Sequence, residues 1–354
     1  MKNKISIANI LLTRLCNLRC SYCNIVQNYK NKPIEYPDIN HYVKNNLNPY
    51  EWLEILSRLR NNNPDIFFIL YGGEPFLYPG IEIIIKELND WDANYTIITN
   101  NTDDIQENIQ KTLEYVEYFK GFTSSIDPYL VYPQEKLFEL YNETTAKDII
   151  HKSQKGFEKL KYYKKENKAK DVVAEITIIG QTGADYLIPL IELLTSEGIW
   201  ASITVVDFKK TDYYDFSGVS NNETSIHNFG VHKHENIRNK FDEIIKRSNA
   251  GELLVHLPEL LNTLYDSLPS NYDCKLNEDL HNVTVDADGS FRLCLRVRGV
   301  DAPSFDYKHV IDEHGTISTN FLNAYDNDYK KYCKLCNWTC PIISSYSTDR
   351  IVSH

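Results

Sequence analysis

The order of apolar and polar residues predicts strands and helices in regular alternation over the first two hundred residues. Short apolar runs that end in polar or glycine-containing turns are typical of buried strands, and apolar residues three and four apart predict helices. The predicted strands are 6–12, 66–71, 95–99, 122–126, 172–179 and 200–206. The predicted helices are 49–59, 80–91, 103–119, 145–165 and 184–197.

This alternation predicts an α/β fold with parallel strands joined by right-handed helical crossovers. Six such units are too few to close an eight-stranded barrel, so we expect a partial (β/α)6 TIM-like barrel. Helices are predicted at 235–248 and 252–268, and a hairpin around Asp286–Gly289. The predicted domains are a barrel at 1–210, a connecting loop with helices at 211–273, and a small cysteine-rich α+β domain at 274–354.

The net charge and the lengths of the apolar segments disfavour two classes of partner, nucleic acids and membranes. The 354-residue chain has a formal net charge of −11, which disfavours nucleic acid because phosphate binding needs a basic surface. We expect no membrane partner, since no apolar segment reaches the length of a membrane span. Asn9 and Arg14 interrupt the apolar start in a way that does not fit a secretory signal. We therefore expect a cytoplasmic protein.

All eight cysteines fall into two groups, and this grouping predicts metal binding. The first group is Cys16, Cys20 and Cys23, directly after the first predicted strand. The second group is Cys274, Cys294, Cys333, Cys336 and Cys340. An iron–sulfur cubane normally takes four thiolates, so three leave one iron with an open position for chemistry. A zinc site or three core thiols are the alternatives for the first group.

The spacing Cys16-x3-Cys20-x2-Cys23, with the aromatic Tyr22 before the third cysteine, resembles the signature of the radical S-adenosylmethionine (SAM) enzymes. The resemblance implies a [4Fe–4S] cluster on Cys16, Cys20 and Cys23 whose open iron binds SAM. It also implies reductive cleavage of SAM to a 5′-deoxyadenosyl radical, which abstracts a hydrogen atom from substrate. An external electron donor such as flavodoxin or ferredoxin is then required.

Further residues at the ends of predicted strands resemble the family's cofactor site. Gly72-Gly73-Glu74 resembles the motif that binds the SAM amino group, and the alternative is a plain turn with a surface glutamate. Asn100 after the third strand, and Ser125 and Asp127 after the fourth, resemble residues that contact the methionine carboxylate or the ribose. Helix capping is the alternative for these three residues, because Ser, Asn and Asp are common caps. The implied cofactor-binding set is Tyr22, Gly72, Gly73, Glu74, Asn100, Ser125 and Asp127.

The second cysteine group resembles the auxiliary-cluster domain called SPASM, or its shorter form Twitch. Five cysteines allow one auxiliary [4Fe–4S] cluster with one thiol left over, and the spacing does not identify the spare thiol. A zinc ribbon split by a hairpin is the alternative.

The predicted function is a radical SAM enzyme that modifies a peptide or protein. The alternative is a dehydrogenase or epimerase of small molecules such as sugars or antibiotic precursors. A non-catalytic iron–sulfur or zinc protein is the rival from another class. We expect a peptide to bind at the barrel directly or through a separate adaptor, because few residues precede Cys16.

Overall fold

The structure, a computed structural model, describes residues 4–18, 46–126, 128–135, 143–178, 185–205, 235–259, 261–262, 282–292 and 304–324. The strands are β1 Ile7–Leu11, β2 Phe67–Tyr71, β3 Asn94–Thr99, β4 Phe119–Ile126, β5 Ala169–Ile178, β6 Trp200–Val205, β7 Asn282–Val285, β8 Ser290–Arg292 and β9 Ser304–Asp306. The helices are α1 Pro49–Asn62, α2 Ile81–Asp90, α3 Gln106–Val116, α4 Glu143–Lys165, α5 Leu187–Ser196, α6 Glu235–Asn249 and α7 Tyr307–Val310.

One sheet contains all of these strands, in the order β6-β5-β4-β3-β2-β1-β7-β8-β9. The first six strands run parallel, each paired with the next along the chain. Helices follow β1 to β5 in sequence, which gives the alternation of strands and helices that parallel βα units require. The predicted α/β partial barrel is therefore confirmed.

Local sequence explains where the helices begin. Asn48 caps α1 by accepting a hydrogen bond from the N–H of Glu51, whose side chain accepts from the Asn48 N–H in return. Pro49 occupies the first turn, where its missing N–H costs nothing. Helix α3 begins at Gln106, three residues later than predicted, because residues 103–105 form a separate 3-10 turn.

The hydrophobic core lies between the sheet and the helices that cover its outer face. Trp52 of α1, Phe68 of β2 and Leu160 of α4 are fully buried there. The rings of Phe122 and Tyr163 lie with centroids 4.6 Å apart, which joins β4 to α4. Burying these large side chains fixes which face of each strand points outward and which lines the barrel interior. None of the helices in the described ranges is both long and apolar enough to cross a membrane.

The predicted hairpin around residues 286–289 is confirmed, with β7 and β8 antiparallel. It also extends the barrel sheet, because β7 pairs in parallel with β1. Asn9 of β1 donates to the side chain of Asn282 at 2.6 Å across this junction. The residues just before Cys294 are thereby attached to the strand that precedes Cys16.

The helix predicted at 252–268 is wrong for its first eight residues. Residues 252–259 are not helical, whereas 261–262 are, and Val255 forms a parallel bridge with Ala201 of β6. The His256 N–H donates to the Ala201 carbonyl at 2.9 Å. Leu253 and Val255 are buried whereas His256 is exposed. This two-residue period is typical of a strand, and pairing with the open edge of β6 outweighs the helical tendency.

Candidate active site

The Gly-Gly turn after β2 binds directly to the chain that leads into the first cysteine group. The Gly73 N–H donates to the Thr13 carbonyl at 2.7 Å, and the Glu74 N–H donates to the Leu15 carbonyl at 2.6 Å. The parallel pairing of β1 and β2 thus continues past both strand ends. Cys16 is held at the carboxyl edge of the sheet, where ligands of such folds bind.

Both glycines are required by this close approach. A Cβ atom on Gly72 would lie 2.4 Å from the Thr13 carbonyl oxygen, and one on Gly73 would lie 2.1 Å from the Leu15 carbonyl oxygen. No side chain fits at either position without moving the backbone. The sequence indicated that this turn lets backbone approach a ligand; the backbone that it approaches in the structure is that of residues 13–15.

Glu74 is fully buried and joins the ends of β2 and β3. Its Oε1 accepts from the Thr99 hydroxyl at 2.9 Å and from the Phe76 N–H at 3.1 Å, and its Oε2 accepts from the Asn100 N–H at 2.9 Å. Burial raises the pKa of this carboxyl to about 7, although the three hydrogen bonds oppose the shift. The surface glutamate that was the alternative for this motif is excluded by its burial.

Asn100 connects the end of β3 to the cysteine loop. Its side-chain amide donates to Asn17 Oδ1 at 2.8 Å, and Asn17 donates in turn to the Thr102 hydroxyl at 2.7 Å. The same Asn100 amide lies 3.9 Å from Cys16 Sγ, and the Leu18 N–H lies 3.4 Å from it. Cys16 is half-buried. N–H donors that point at a sulfur stabilise its thiolate, so this environment fits a cluster ligand.

An ion cluster ties the cysteine loop to the C-terminal hairpin. Asp286 is buried in the turn between β7 and β8, and its carboxylate accepts from the Arg14 guanidinium, with one contact of 2.9 Å to Arg14 Nε. Arg292 Nε of β8 donates to the same carboxylate at 2.8 Å. Arg14 precedes Cys16 by two positions and Arg292 precedes Cys294 by two. The cluster therefore links the stretches that carry the two cysteine groups.

The structure places only some of the predicted site residues. Cys16, Gly72, Gly73, Glu74 and Asn100 come together at the ends of β1 to β3. Ser125 lies on β4 and is exposed, while its neighbours Ser124 and Ile126 are buried. The predicted residues that fall outside the described ranges are Cys20, Tyr22, Cys23, Asp127, Cys274, Cys294, Cys333, Cys336 and Cys340.

Sequence reasoning missed Arg14, Asn17, Asp286 and Arg292. Asn17 lies between two cysteines of the motif, but its partner Thr102 is distant along the chain. Arg14 and Asp286 are 272 residues apart. No local pattern signals such pairs, and a glycine-containing turn with two aspartates resembles an ordinary hairpin turn.

Solved structures with a similar fold include SuiB from Streptococcus suis bound to S-adenosylmethionine, with a TM-score of 0.59 and 15% identity over 91% of this chain and 66% of that one. SuiB bound to its precursor peptide SuiA matches with a TM-score of 0.61 and 14% identity over 91% of this chain and 66% of that one. This chain therefore spans slightly less than two thirds of those SuiB chains. The structure of anSMEcpe with bound AdoMet matches with a TM-score of 0.52 and 17% identity, over 94% of this chain and 88% of that one.

Sequence comparison gives the family. No curated protein sequence matches the chain significantly. The model of the radical SAM superfamily matches residues 10–194, which is just over half of the chain and includes the end of β1, the first cysteine group, the Gly-Gly turn and strands β2 to β5. This protein therefore belongs to the radical SAM superfamily.

Proposed function

We propose that this radical SAM enzyme modifies a peptide or protein side chain. In this proposal Cys16, Cys20 and Cys23 hold a [4Fe–4S] cluster that binds SAM. When bound, the cluster and SAM supply a 5′-deoxyadenosyl radical that removes a hydrogen atom from the substrate. The observation that carries the proposal is the contact between the Gly72-Gly73 turn and residues 13–15, which fixes Cys16 at the carboxyl edge of a partial barrel.

The chain's own residues position and stabilise the first thiolate. Asn100 and Leu18 direct N–H groups at Cys16 Sγ, which lowers the energy of the charged sulfur. Glu74 acts through the backbone: it fixes the Asn100 N–H and thereby the place from which the Asn100 side chain reaches Cys16. The carbonyl groups of the Gly-Gly turn and the hydroxyl of Ser125 are then the groups we assign to SAM.

The peptide substrate is supported by fold likeness to SuiB, one structure of which contains the precursor peptide SuiA. The interior faces of β4 to β6 also remain partly exposed to solvent in the described residues, which leaves room for a side chain beside the cofactor. We further propose one auxiliary [4Fe–4S] cluster on four of the five distal cysteines, reduction by an external flavodoxin or ferredoxin, and a cytoplasmic location.

The test is SAM cleavage by anaerobically reconstituted protein with dithionite as reductant. Wild type is expected to form 5′-deoxyadenosine, and the Cys16→Ala/Cys20→Ala/Cys23→Ala triple variant is expected to form none. Gly156→Ala is the control, because a methyl group there meets only Ile126 Cδ1 at 3.6 Å and leaves the site untouched. Cleavage by the triple variant would refute the assignment.

The peptide assignment needs a second measurement. Short peptides encoded beside the gene are incubated with the enzyme, SAM and dithionite, and their masses are compared before and after. A peptide that has lost hydrogen or gained a cross-link supports the proposal that the substrate is a peptide. Turnover of a sugar or antibiotic precursor with every peptide unchanged would replace it by the small-molecule alternative.

A further inference from the structure

Strands β4 to β6 present a polar row to the interior of the barrel. Phe122 of β4 packs against Tyr163 of α4, so Thr123 and Ser125 on alternate positions point to the opposite, interior side. The same alternation holds on β5, where Val172, Ala174 and Ile176 are fully buried beneath the helices. Glu175, between two of these buried residues, therefore faces the interior and remains partly exposed.

The register places Glu175 at the centre of this row. It pairs with Ser125 of β4 on one side and with Ser202 of β6 on the other. Side chains at paired positions of neighbouring strands point the same way and lie within contact distance. The Thr204 hydroxyl donates to Glu175 Oε1, and Ser202 also hydrogen-bonds the carboxyl. The row thus offers a carboxylate between hydroxyl groups.

Glu175 differs in its partners from Asp286, the carboxylate that is buried in the turn between β7 and β8. Asp286 is bonded by Arg14 and Arg292. Within the same ranges no Lys, Arg or His forms an ion pair with Glu175. Burial raises the pKa of Glu175 while the Ser202 and Thr204 hydrogen bonds oppose the shift. A carboxylate in such a place is costly unless a cation compensates it.

We propose that Glu175 binds a primary ammonium group of the substrate inside the barrel, which makes a lysine side chain the group that the polar row selects. An ammonium has three N–H donors and no acceptor, and Glu175 and Ser202 offer it acceptor oxygens on adjacent strands, beside the Ser125 hydroxyl that is assigned to SAM. The proposal rests on the proposed function in taking a peptide as the substrate. It adds the class of side chain bound and the residue that selects it.

Calorimetric titration of the reconstituted full chain tests this assignment. The probes are Nα-acetyl-L-lysine methylamide and its uncharged analogue Nα-acetyl-L-norleucine methylamide, each with SAM present. Wild type is expected to bind the lysine probe at least about tenfold more tightly, since charge-assisted hydrogen bonds are the stronger kind. Glu175→Gln, which keeps the side-chain shape, is expected to lose that preference.

Two further variants separate charge recognition from folding and from general attraction. Asp171→Asn removes the same charge from an exposed position on the same strand, and it is expected to bind the lysine probe as wild type does. Glu175→Asp retains the charge and is expected to retain part of the preference, which a purely structural role would not produce. Thermal melting of each variant shows whether it is folded.

Three outcomes of these titrations would overturn the proposal that Glu175 binds a lysine ammonium group. Equal binding of both probes by wild type, or an equal loss in Asp171→Asn and Glu175→Gln, would overturn the proposal. A loss of SAM affinity in Glu175→Gln with lysine-probe binding unchanged would also overturn it, because the carboxylate would then serve the cofactor. Probe binding does not depend on SAM cleavage. Absence of 5′-deoxyadenosine formation by wild type therefore refutes the proposed function separately.

Discussion

At the scale of single residues, the two glycines after β2 are set by the backbone that lies against them. Gly73 has no space for a methyl group because the Leu15 carbonyl oxygen would lie 2.1 Å from it. The two residues therefore determine how far residues 13–15 lie from the turn, and with them the position of Cys16. The motif therefore contributes to the site by positioning Cys16 through backbone packing.

Gly73→Ala tests that role. The added methyl group must push residues 13–15 away from the turn, which is expected to cost at least about 2 kcal/mol of stability and to reduce iron retention and 5′-deoxyadenosine formation together. Iron analysis and urea unfolding measure both effects. Gly156→Ala in α4 is the control, and it is expected to be neutral or stabilising by about 0.5–1 kcal/mol. Full iron content in Gly73→Ala would contradict the packing argument.

Glu74 gives a pH-dependent prediction. Its pKa is raised from 4.5 to about 7 by burial, so between these values the folded chain holds a proton that the unfolded chain has released. The stabilising contribution is complete below the unfolded pKa and is lost as pH rises through the folded one, for a total of about 3 kcal/mol. Glu74→Gln, which never ionises, is expected to lack this decline.

The measurement is urea unfolding at about pH 5 and about pH 8. The free energy of unfolding of wild type, measured relative to that of Glu74→Gln, should be lower at the higher pH than at the lower pH. Glu114→Gln on the exposed face of α3 serves as the matched control. An identical pH dependence in wild type and Glu74→Gln would show that Glu74 does not titrate in this range.

At the scale of elements, the hairpin β7–β8 belongs to the barrel sheet as well as to the C-terminal cysteine region. It is joined to β1 by parallel pairing and to Arg14 by the Asp286 carboxylate. Two kinds of contact at one junction make the position of the hairpin depend on the loop before Cys16, and the reverse.

Asp286→Asn tests the electrostatic part of this junction. The loss of a buried carboxylate between two guanidinium groups is expected to cost about 3 kcal/mol. It should also increase hydrogen exchange in 282–292 more than in β3 to β5. Asp288→Asn, an exposed residue of the same turn, should change exchange little. Equal protection in the two variants would mean that strand pairing alone fixes the hairpin.

Sequence periodicity is sufficient to predict the secondary structure of elements with strong local patterns. It is insufficient where pairing with a distant strand determines the secondary structure. The six barrel strands and the turn at Gly289 have local signals, so they were predicted. Residues 252–259 contain apolar residues that suit a helix, but the open edge of β6 recruits Val255. Similarly, the amino-acid sequence alone identifies the Gly-Gly-Glu motif. Its contact with residues 13–15 depends on the pairing of β1 with β2, which no local pattern indicates.

At the scale of the whole molecule, one sheet contains β1, which precedes Cys16, and β8, which precedes Cys294. The proposed auxiliary cluster can be tested separately from the cluster proposed on Cys16, Cys20 and Cys23. Cys274, Cys294, Cys333, Cys336 and Cys340 are replaced together by Ala, and iron is counted after reconstitution. Wild type is expected to bind about eight irons, as two cubanes require, and the variant about four. The proposed N-terminal cluster should persist, because the described contacts that position Cys16 come from residues at the ends of β1, β2 and β3. SAM binding by the variant should therefore persist. Eight irons in the variant would refute the auxiliary site, and complete loss of iron would show that the N-terminal cluster depends on the C-terminal region.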